Sequence, residues 1–307
     1  MRDRTPVRAD ARRPPLCPYC AAASRLLFSA KDWNQRTSAE AFEYYLCRAC
    51  ALTFIGQVPS NLGRYYANEQ FDIPADSVGF QTRADSQLWK VEILRKQVPP
   101  PASLLEVGPA TGEFAYCARQ KGYRPTLFEM DERCCGFLRE VLALDVVQTS
   151  NPAESLDAAT AYDAICIWQA IEHIPNFWTL MERSIDRLGP GGVLILSTPN
   201  PCSLQARILR RFWPHLDAPR HLYLIPQSWV RSFARKHGLA AVFDTTRDVG
   251  SIGLNYYGWL LAARNAVRGK VSNRIIEAAA GRITALVRRW ESREGRGCSY
   301  TIALRKG

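Results

Sequence analysis

No run of about 18 uninterrupted apolar residues occurs in this 307-residue chain, so no membrane-spanning helix is expected. The longest candidate, residues 249–263, is fenced by Asp248 and Arg264 and is too short. The opening residues Met1-Arg2-Asp3-Arg4 lack the apolar core of a secretory signal, and the chain is expected to stay in the cytoplasm. Disulfides are not expected there. Histidine is scarce, with four residues: His173, His215, His221 and His237. Polar bias is lacking too. With 47% apolar and 22% charged residues, the composition excludes a wholly disordered, collagen-like or coiled-coil chain and leaves room for one large domain or two modest ones.

The charge is uneven. Forty Lys/Arg stand against 29 Asp/Glu, a formal +11. Residues 256–307 hold eleven of the basic residues against three Glu, and residues 201–255 hold eight against three Asp. The first 200 residues are therefore close to neutral. Such a distribution suits an anionic partner, although Arg-rich helices can also be merely solvated.

Four of the ten cysteines form two C-x2-C pairs, Cys17/Cys20 and Cys47/Cys50, with 26 residues between them. Two such knuckles can close a tetrahedral Zn2+ site with Zn–S of about 2.3 Å. Four sulfurs leave no open position, so the metal would be structural and would compensate for a small core. The other six cysteines are scattered.

The middle of the chain reads as an α/β unit. An amphipathic helix is expected over Gln81–Gln97, stopped by Pro99-Pro100-Pro101. An apolar strand then runs into a turn of small residues, LLEVGPATGEF over 104–114, followed by a helix from Phe114 to Lys121. A second strand, Arg124–Phe128, ends in Glu129-Met130-Asp131. Strand, glycine turn, helix, strand and acid is the layout that binds an adenosyl group at the strands' carboxyl ends. Small residues at 108, 110 and 112 let backbone approach the ligand, and the acid at 129 can accept from ribose hydroxyls.

Further on come the strand YDAICIW (162–168), then QAIEHIPN (169–176), a helix over Phe177–Leu188, a turn over Gly189–Gly192, a strand into STPN (197–200), and DAPRHLYLIPQSWVRSFARKHGL (217–239). With LLEVGPATGEF and LFEMD, this set resembles the class I S-adenosylmethionine-dependent methyltransferases. Within them it is similar to bacterial UbiE/UbiG-like small-molecule enzymes preceded by a zinc ribbon, and the likeness covers about residues 103–245. It implies a Rossmann-like α/β fold of seven strands, the last antiparallel. Residues 240–245 and 298–304 would be its final strands, with a basic helical insertion between them. The resulting division is a disordered basic tail (1–13), a zinc ribbon (14–60), a helical linker or cap (61–100) and a methyltransferase domain (101–307) with its insertion at about 250–296.

The resemblance further implies that Glu106, Gly108, Ala110 and Gly112 line the methionine and ribose of the cofactor. Glu129 would hold the ribose hydroxyls, Met130 and Ala153 would lie near adenine, and Gln169 and Ala170 near the sulfonium. Ala110 departs from the usual middle glycine, and Asn151-Pro152-Ala153-Glu154 replaces the stretch whose acid often meets the adenine amine. The missing Asn/Asp-Pro-Pro-Tyr/Phe motif counts against amide-like nitrogen acceptors and leaves oxygen, amine or carbon, of which oxygen is preferred. A hydroxyl must lose its proton, which suits histidine. His173 after the fourth strand and His221 in Pro219-Arg220-His221 are the candidate bases. Arg220 is a candidate anion clamp, His215 and Tyr223 further substrate contacts, and His237 a helix-end residue. The acceptor is expected to be a small molecule, anionic or lipid-linked. Ala279, Ile283, Leu286, Val287 and Trp290 recur at helical spacing among arginines, a pattern open to core packing, a lid or a peripheral membrane contact. RNA methylation and a non-catalytic cofactor-binding scaffold are the alternatives, the former disfavoured because the cysteine segment is not itself basic.

Overall fold

A computed structural model describes residues 13–66, 72–74, 77–267 and 271–307. Of the anticipated basic tail over 1–13, all but Arg13 lies outside the described residues. Near the N-terminus, β1 (Ser24–Lys31), β2 (Ala41–Cys47) and β3 (Thr53–Ile55) form an antiparallel sheet.

The chain then enters a larger sheet through β4 (Ala102–Val107), β5 (Tyr123–Glu129), β6 (Asp145–Gln148), β7 (Tyr162–Trp168) and β8 (Leu188–Pro199). A two-residue strand, β9 (Tyr223–Leu224), leaves this part of the chain and pairs with β3, placing Tyr223 opposite Phe54. The cysteine-bearing sheet is thus completed by a segment some 170 residues downstream. β10 (Leu239–Thr245) and β11 (Ser299–Lys306) finish the large sheet, whose order is β10-β11-β8-β7-β4-β5-β6. The pairings from β6 to β8 are parallel, while β11 runs antiparallel to both β8 and β10. The anticipated seven-stranded Rossmann-like α/β sheet with an antiparallel last strand is present.

Period-two alternation divides the sheet's side chains between two cores. Leu105, Ile165, Ile167, Leu194 and Leu196 face the side shared with the cysteine-bearing sheet. Leu104, Ala164, Cys166, Val193 and Ile195 face the other side, which is covered by α1 (Ser77–Asp85), α2 (Leu88–Gln97) and α3 (Glu113–Gln120). The single helix expected over Gln81–Gln97 is therefore two. The Ser86 hydroxyl donates to the Arg83 carbonyl, and the Gln87 N–H donates to Ala84 at 2.8 Å, a tightened turn that ends α1. Across Gly189–Gly192 the β7–β8 pairing jumps from Tyr162↔Leu188 to Ala164↔Val193, so the glycines loop out within β8.

Short helices α4 (Glu132–Gly136) and α5 (Pro152–Ser155) follow β5 and β6. α6 (Phe177–Arg187), α7 (Leu204–Leu209) and α8 (Gln227–Lys236) flank the later strands. The insertion is two helices, α9 (Val249–Ala266) and α10 (Asn273–Glu291). Its inner stripe is Ile276, Ala280, Ile283 and Val287, packed with Trp259 and Leu260 of α9. Of the stripe read from the sequence, Leu286 and Trp290 fall outside the packed face and are exposed, at 73% and 48%.

Candidate active site

β4 ends at Val107, and the chain turns through Gly108, Ala110 and Gly112 at φ +71°, +53° and +81°. A Cβ on Gly108 would meet the Ala170 Cβ at 2.7 Å, and one on Gly112 would meet Leu138 at 2.3 Å. Glycine is needed at both positions for conformation and for space. Ala110 adopts the left-handed region without that freedom. Its N–H donates to Glu129 Oε2 at 2.9 Å, which helps hold it there.

The buried carboxylate of Glu129 also accepts from Met130 N at 2.7 Å and Asp131 N at 2.9 Å, binding the end of β5 to the turn after β4. Burial raises its pKa, against the pull of those N–H groups. Met130 itself is 66% exposed. Ala153 lies buried in α5, its carbonyl accepting from Arg183 at 3.0 Å. A cleft of about 270 Å3 opens beside it, between Ser150–Glu154 and Ile174–Asn176.

Glu106 is buried on β4, and its Oε2 has no hydrogen-bond partner among the described residues. Burial pushes its carboxyl up to about 8 despite the nearby Lys90 charge. The Lys90 ammonium lies 5.4 Å from the Trp168 ring centroid and 5.8 Å from that of Trp89, a residue that sequence reasoning did not single out. Gln169, at φ +51°, donates through its side chain to Ser197 Oγ (2.7 Å) and Ser299 Oγ (2.8 Å), so it fixes the end of β7 across β8 and β11. An orphaned acid, small-residue turns and a carboxylate at the carboxyl ends of adjacent strands fit an adenosyl ligand carrying an amino-acid group.

The two candidate bases meet at the same sheet edge. The rings of His173 and His221 are 4.5 Å apart, edge to face. His221 Nε2 lies 3.9 Å from Glu172 Oε1. Glu172 is fully buried; its Oε2 accepts from the Thr198 hydroxyl at 2.8 Å, while Oε1 has no hydrogen-bond partner among the described residues. One ligand-type atom from each of these three residues lies within 4.8 Å of the others. Burial pushes the Glu172 carboxyl up to about 7. It pulls the His221 imidazole down to about 3, with His173 adding to the effect, and it lowers His173 as well.

His221 Nδ1 faces the His215 carbonyl at 2.9 Å, and His173 Nδ1 faces the Arg220 carbonyl at 3.1 Å and the Tyr66 hydroxyl at 3.0 Å. Carbonyls only accept, so the His221 ring carries its proton on Nδ1 and leaves Nε2 with a lone pair, whereas His173 Nδ1 faces both an acceptor and a hydroxyl able to donate.

The expectation of an anion clamp at Arg220 is corrected. Its five N–H groups are spent on Asp217 (2.8 and 2.7 Å), Asp32 (3.2 and 2.8 Å) and the Tyr65 carbonyl (2.9 Å), at 2% exposure. The bond network from Arg220 holds Asp217 down at about 2 although burial alone would raise it. The two substrate contacts also prove internal. His215 Nε2 meets the Leu254 carbonyl of α9 at 3.0 Å, and Tyr223 is buried against Phe177 and Trp178, centroids at 5.1 and 5.7 Å. His237 caps α8 and stacks on Phe233 at 4.3 Å.

The four sulfurs of Cys17, Cys20, Cys47 and Cys50 converge, with Sγ–Sγ distances of 3.8, 3.5 and 3.7 Å for the pairs 17/50, 20/47 and 20/50. A tetrahedron with Zn–S of about 2.3 Å has edges of about 3.8 Å, so the donor set fits that ion.

Residues 85–242, just over half of the chain, match the model of the methyltransferase domain family, and the chain belongs to that family. It is a class I S-adenosylmethionine-dependent methyltransferase. Among curated proteins no sequence match is found. A solved structure from Galdieria sulphuraria, provisionally named a sarcosine dimethylglycine methyltransferase, is 14% identical with a TM-score of 0.51, over 74% of this chain and 86% of that one. That similarity is one of fold. A SAM-dependent methyltransferase from Archaeoglobus fulgidus is 17% identical with a TM-score of 0.49, over 75% of this chain and 99% of that one.

Proposed function

We propose that the chain methylates a hydroxyl group of a small molecule, a sugar, glycan or secondary-metabolite intermediate, in the manner of UbiE/UbiG-like enzymes. The observation that carries this reading is the cluster of His173, His221 and Glu172, where each imidazole sets its Nδ1 against a backbone carbonyl. The cofactor would lie against the turn after β4, with Glu129 at its ribose, Glu106, Gly108, Ala110 and Gly112 along the ribose and methionine, Met130 and Ala153 at adenine, and Gln169 and Ala170 toward sulfur. When bound, S-adenosylmethionine supplies a methyl group on a cationic sulfur, open to in-line displacement.

The chain's own task is to hold the acceptor hydroxyl and take its proton. His173, less buried than His221, accepts it at Nε2 and passes it to solvent. His221 and the Glu172 carboxylate face the resulting imidazolium. Their lowered pKa values keep both imidazoles neutral near pH 7. The four cysteines hold structural zinc in a ribbon over residues 14–60. That ribbon's outer strand β3 is covered by β9 of the same chain, which favours a scaffold over an RNA-binding module.

A lipid-linked acceptor would bring α10 to anionic headgroups, its outer face carrying Ile275, Leu286 and Trp290 among Arg282 and Arg289. No helix among the described residues is long and apolar enough to cross a membrane. The test is transfer of a labelled methyl group to a panel of hydroxylated sugars and glycan precursors. The wild type should label at least one, and His173→Gln should lower kcat on it by about 10²–10⁴-fold. Labelling confined to RNA would overturn the assignment.

A further inference from the structure

The mechanism leaves one buried charge unused. Arg220 and Asp32 form a bidentate pair at 2% and 0% side-chain exposure, and Asp32 belongs to the turn after β1, 188 residues away in sequence. Desolvating such ions is costly, and apolar side chains could fill the space at no loss of stability. The pair instead stands where three parts of the chain meet. On one side, Asp32 is held by Gln35 N, Thr37 N and Thr37 Oγ1 at 3.0, 3.0 and 2.6 Å. On another, Asp217 ties Arg220 to Asn34 at 2.6 Å, and Asn34 in turn reaches Asn265 of α9 at 3.2 Å.

Next to it, Tyr44 of β2 donates to the His221 carbonyl at 2.8 Å, and Leu222 N donates to the Glu172 carbonyl at 2.9 Å. The backbone of residues 220–222 is therefore fixed from both sides, and the Arg220 carbonyl with it. That carbonyl is the acceptor at His173 Nδ1.

Two hydrogen-bond patterns are conceivable at His173 Nδ1, and they leave opposite tautomers. If the Tyr66 hydroxyl donated to Nδ1, the ring proton would sit on Nε2 and the base would be blocked. The Arg220 carbonyl, 3.1 Å away, would then confront a bare nitrogen, lone pair against lone pair. If Nδ1 carries the proton, it donates to the carbonyl, and the Tyr66 hydroxyl can rotate to present its oxygen. The second pattern has no repulsive contact.

We propose that Arg220 is a positioning residue for methyl transfer: anchored by Asp32 and Asp217, it presents its own carbonyl to His173 Nδ1 and so keeps Nε2 free to take the acceptor's proton. The cysteine-bearing sheet thereby becomes part of the active-site frame. The acceptor's O–H bond breaks toward Nε2 and the oxygen keeps its electron pair for the methyl carbon; with the cofactor bound, the methyl–sulfur bond would break with its electron pair going to sulfur, S-adenosylhomocysteine would leave, and the imidazolium proton would pass to solvent. This inference rests on the reading of His173 as base, but its test does not.

The experiment is long-range 1H–15N spectroscopy of the full-length, zinc-loaded protein, with the histidines assigned through His173→Gln and His221→Gln. Wild type should show His173 as the Nδ1–H tautomer. Asp32→Asn and Arg220→Lys should bring the two His173 nitrogen resonances toward each other as both tautomers become populated. His221, held by His215, should keep its signals, and S-adenosylmethionine affinity by calorimetry should stay within about twofold. Tyr66→Phe, which removes only the competing hydroxyl and spares the frame, should leave His173 in the Nδ1–H form. A wild-type ring protonated on Nε2, or a Tyr66→Phe ring that loses the Nδ1 proton, would overturn the proposal. So would unchanged His173 signals in folded Asp32→Asn. Failure of the base assignment would show separately, as His173→Gln with undiminished turnover.

Discussion

Glu172 brings an electrostatic conflict to the histidine cluster. Its Oε1 is buried without a hydrogen-bond partner among the described residues, and its carboxyl is raised to about 7 from 4.5. A carboxyl raised on folding stabilises fully below its unfolded pKa, and that contribution is lost as pH rises through the folded value. The unfolding free energy of wild type minus that of Glu172→Gln should therefore fall as pH rises from about 5 to about 8, by on the order of 3 kcal/mol at most. His221 and Asp217 face this carboxyl, and neither changes charge in that window, since they sit at about 3 and about 2. A pH-independent difference between the two proteins, followed by scanning calorimetry, would contradict the placement. Gly108 poses a steric counterpart. Gly108→Ala drives a Cβ into Ala170 at a left-handed φ, and it should weaken S-adenosylmethionine binding by at least tenfold in titration calorimetry while unfolding stays cooperative.

At the level of elements, local patterns in the sequence were legible and remote contacts were not. Two C-x2-C pairs anticipated four converging sulfurs, and LLEVGPATGEF with LFEMD anticipated the β4 turn and the acid that ties it to β5. Spacing within EHIP put His173 and its neighbour at a strand end. Nothing local announced that Asp32 would pair with Arg220, that Tyr66 would reach His173, or that β9 would complete the cysteine-bearing sheet, because such partners are chosen by the tertiary fold. Arg220 was expected to clamp an anion, whereas the remote Asp32 carboxylate and the nearby Asp217 take its N–H groups and bury it. On α10 the apolar residues occupy two faces, and only contact with α9 decides which one is inside. If the four sulfurs hold zinc as proposed, removing it should unsettle the whole junction. Cys20→Ser or a strong chelator should lower the zinc content from one per chain toward zero, by elemental analysis, and depress the melting temperature by several degrees. Unchanged stability in zinc-free protein would remove the ribbon from the account.

Across the whole molecule, the parallel sheet presents its strand ends to one edge. The turn after β4, the cluster of His173, His221 and Glu172, and the cysteine-bearing sheet all gather there. The excess of Lys/Arg lies elsewhere, in the last hundred residues and largely on the exposed sides of the insertion. Charge and chemistry are thus separated, and a cationic surface need not mean a polyanionic substrate. Cofactor binding at the β4–β5 edge is the property on which every proposed role of these residues depends. Calorimetric titration of the zinc-loaded protein with S-adenosylmethionine, repeated on Glu129→Ala, tests this directly. One-to-one binding in the micromolar range, weakened at least tenfold in the variant, is the predicted result. Equal affinity in the two proteins, or no binding by a folded wild type, would contradict it.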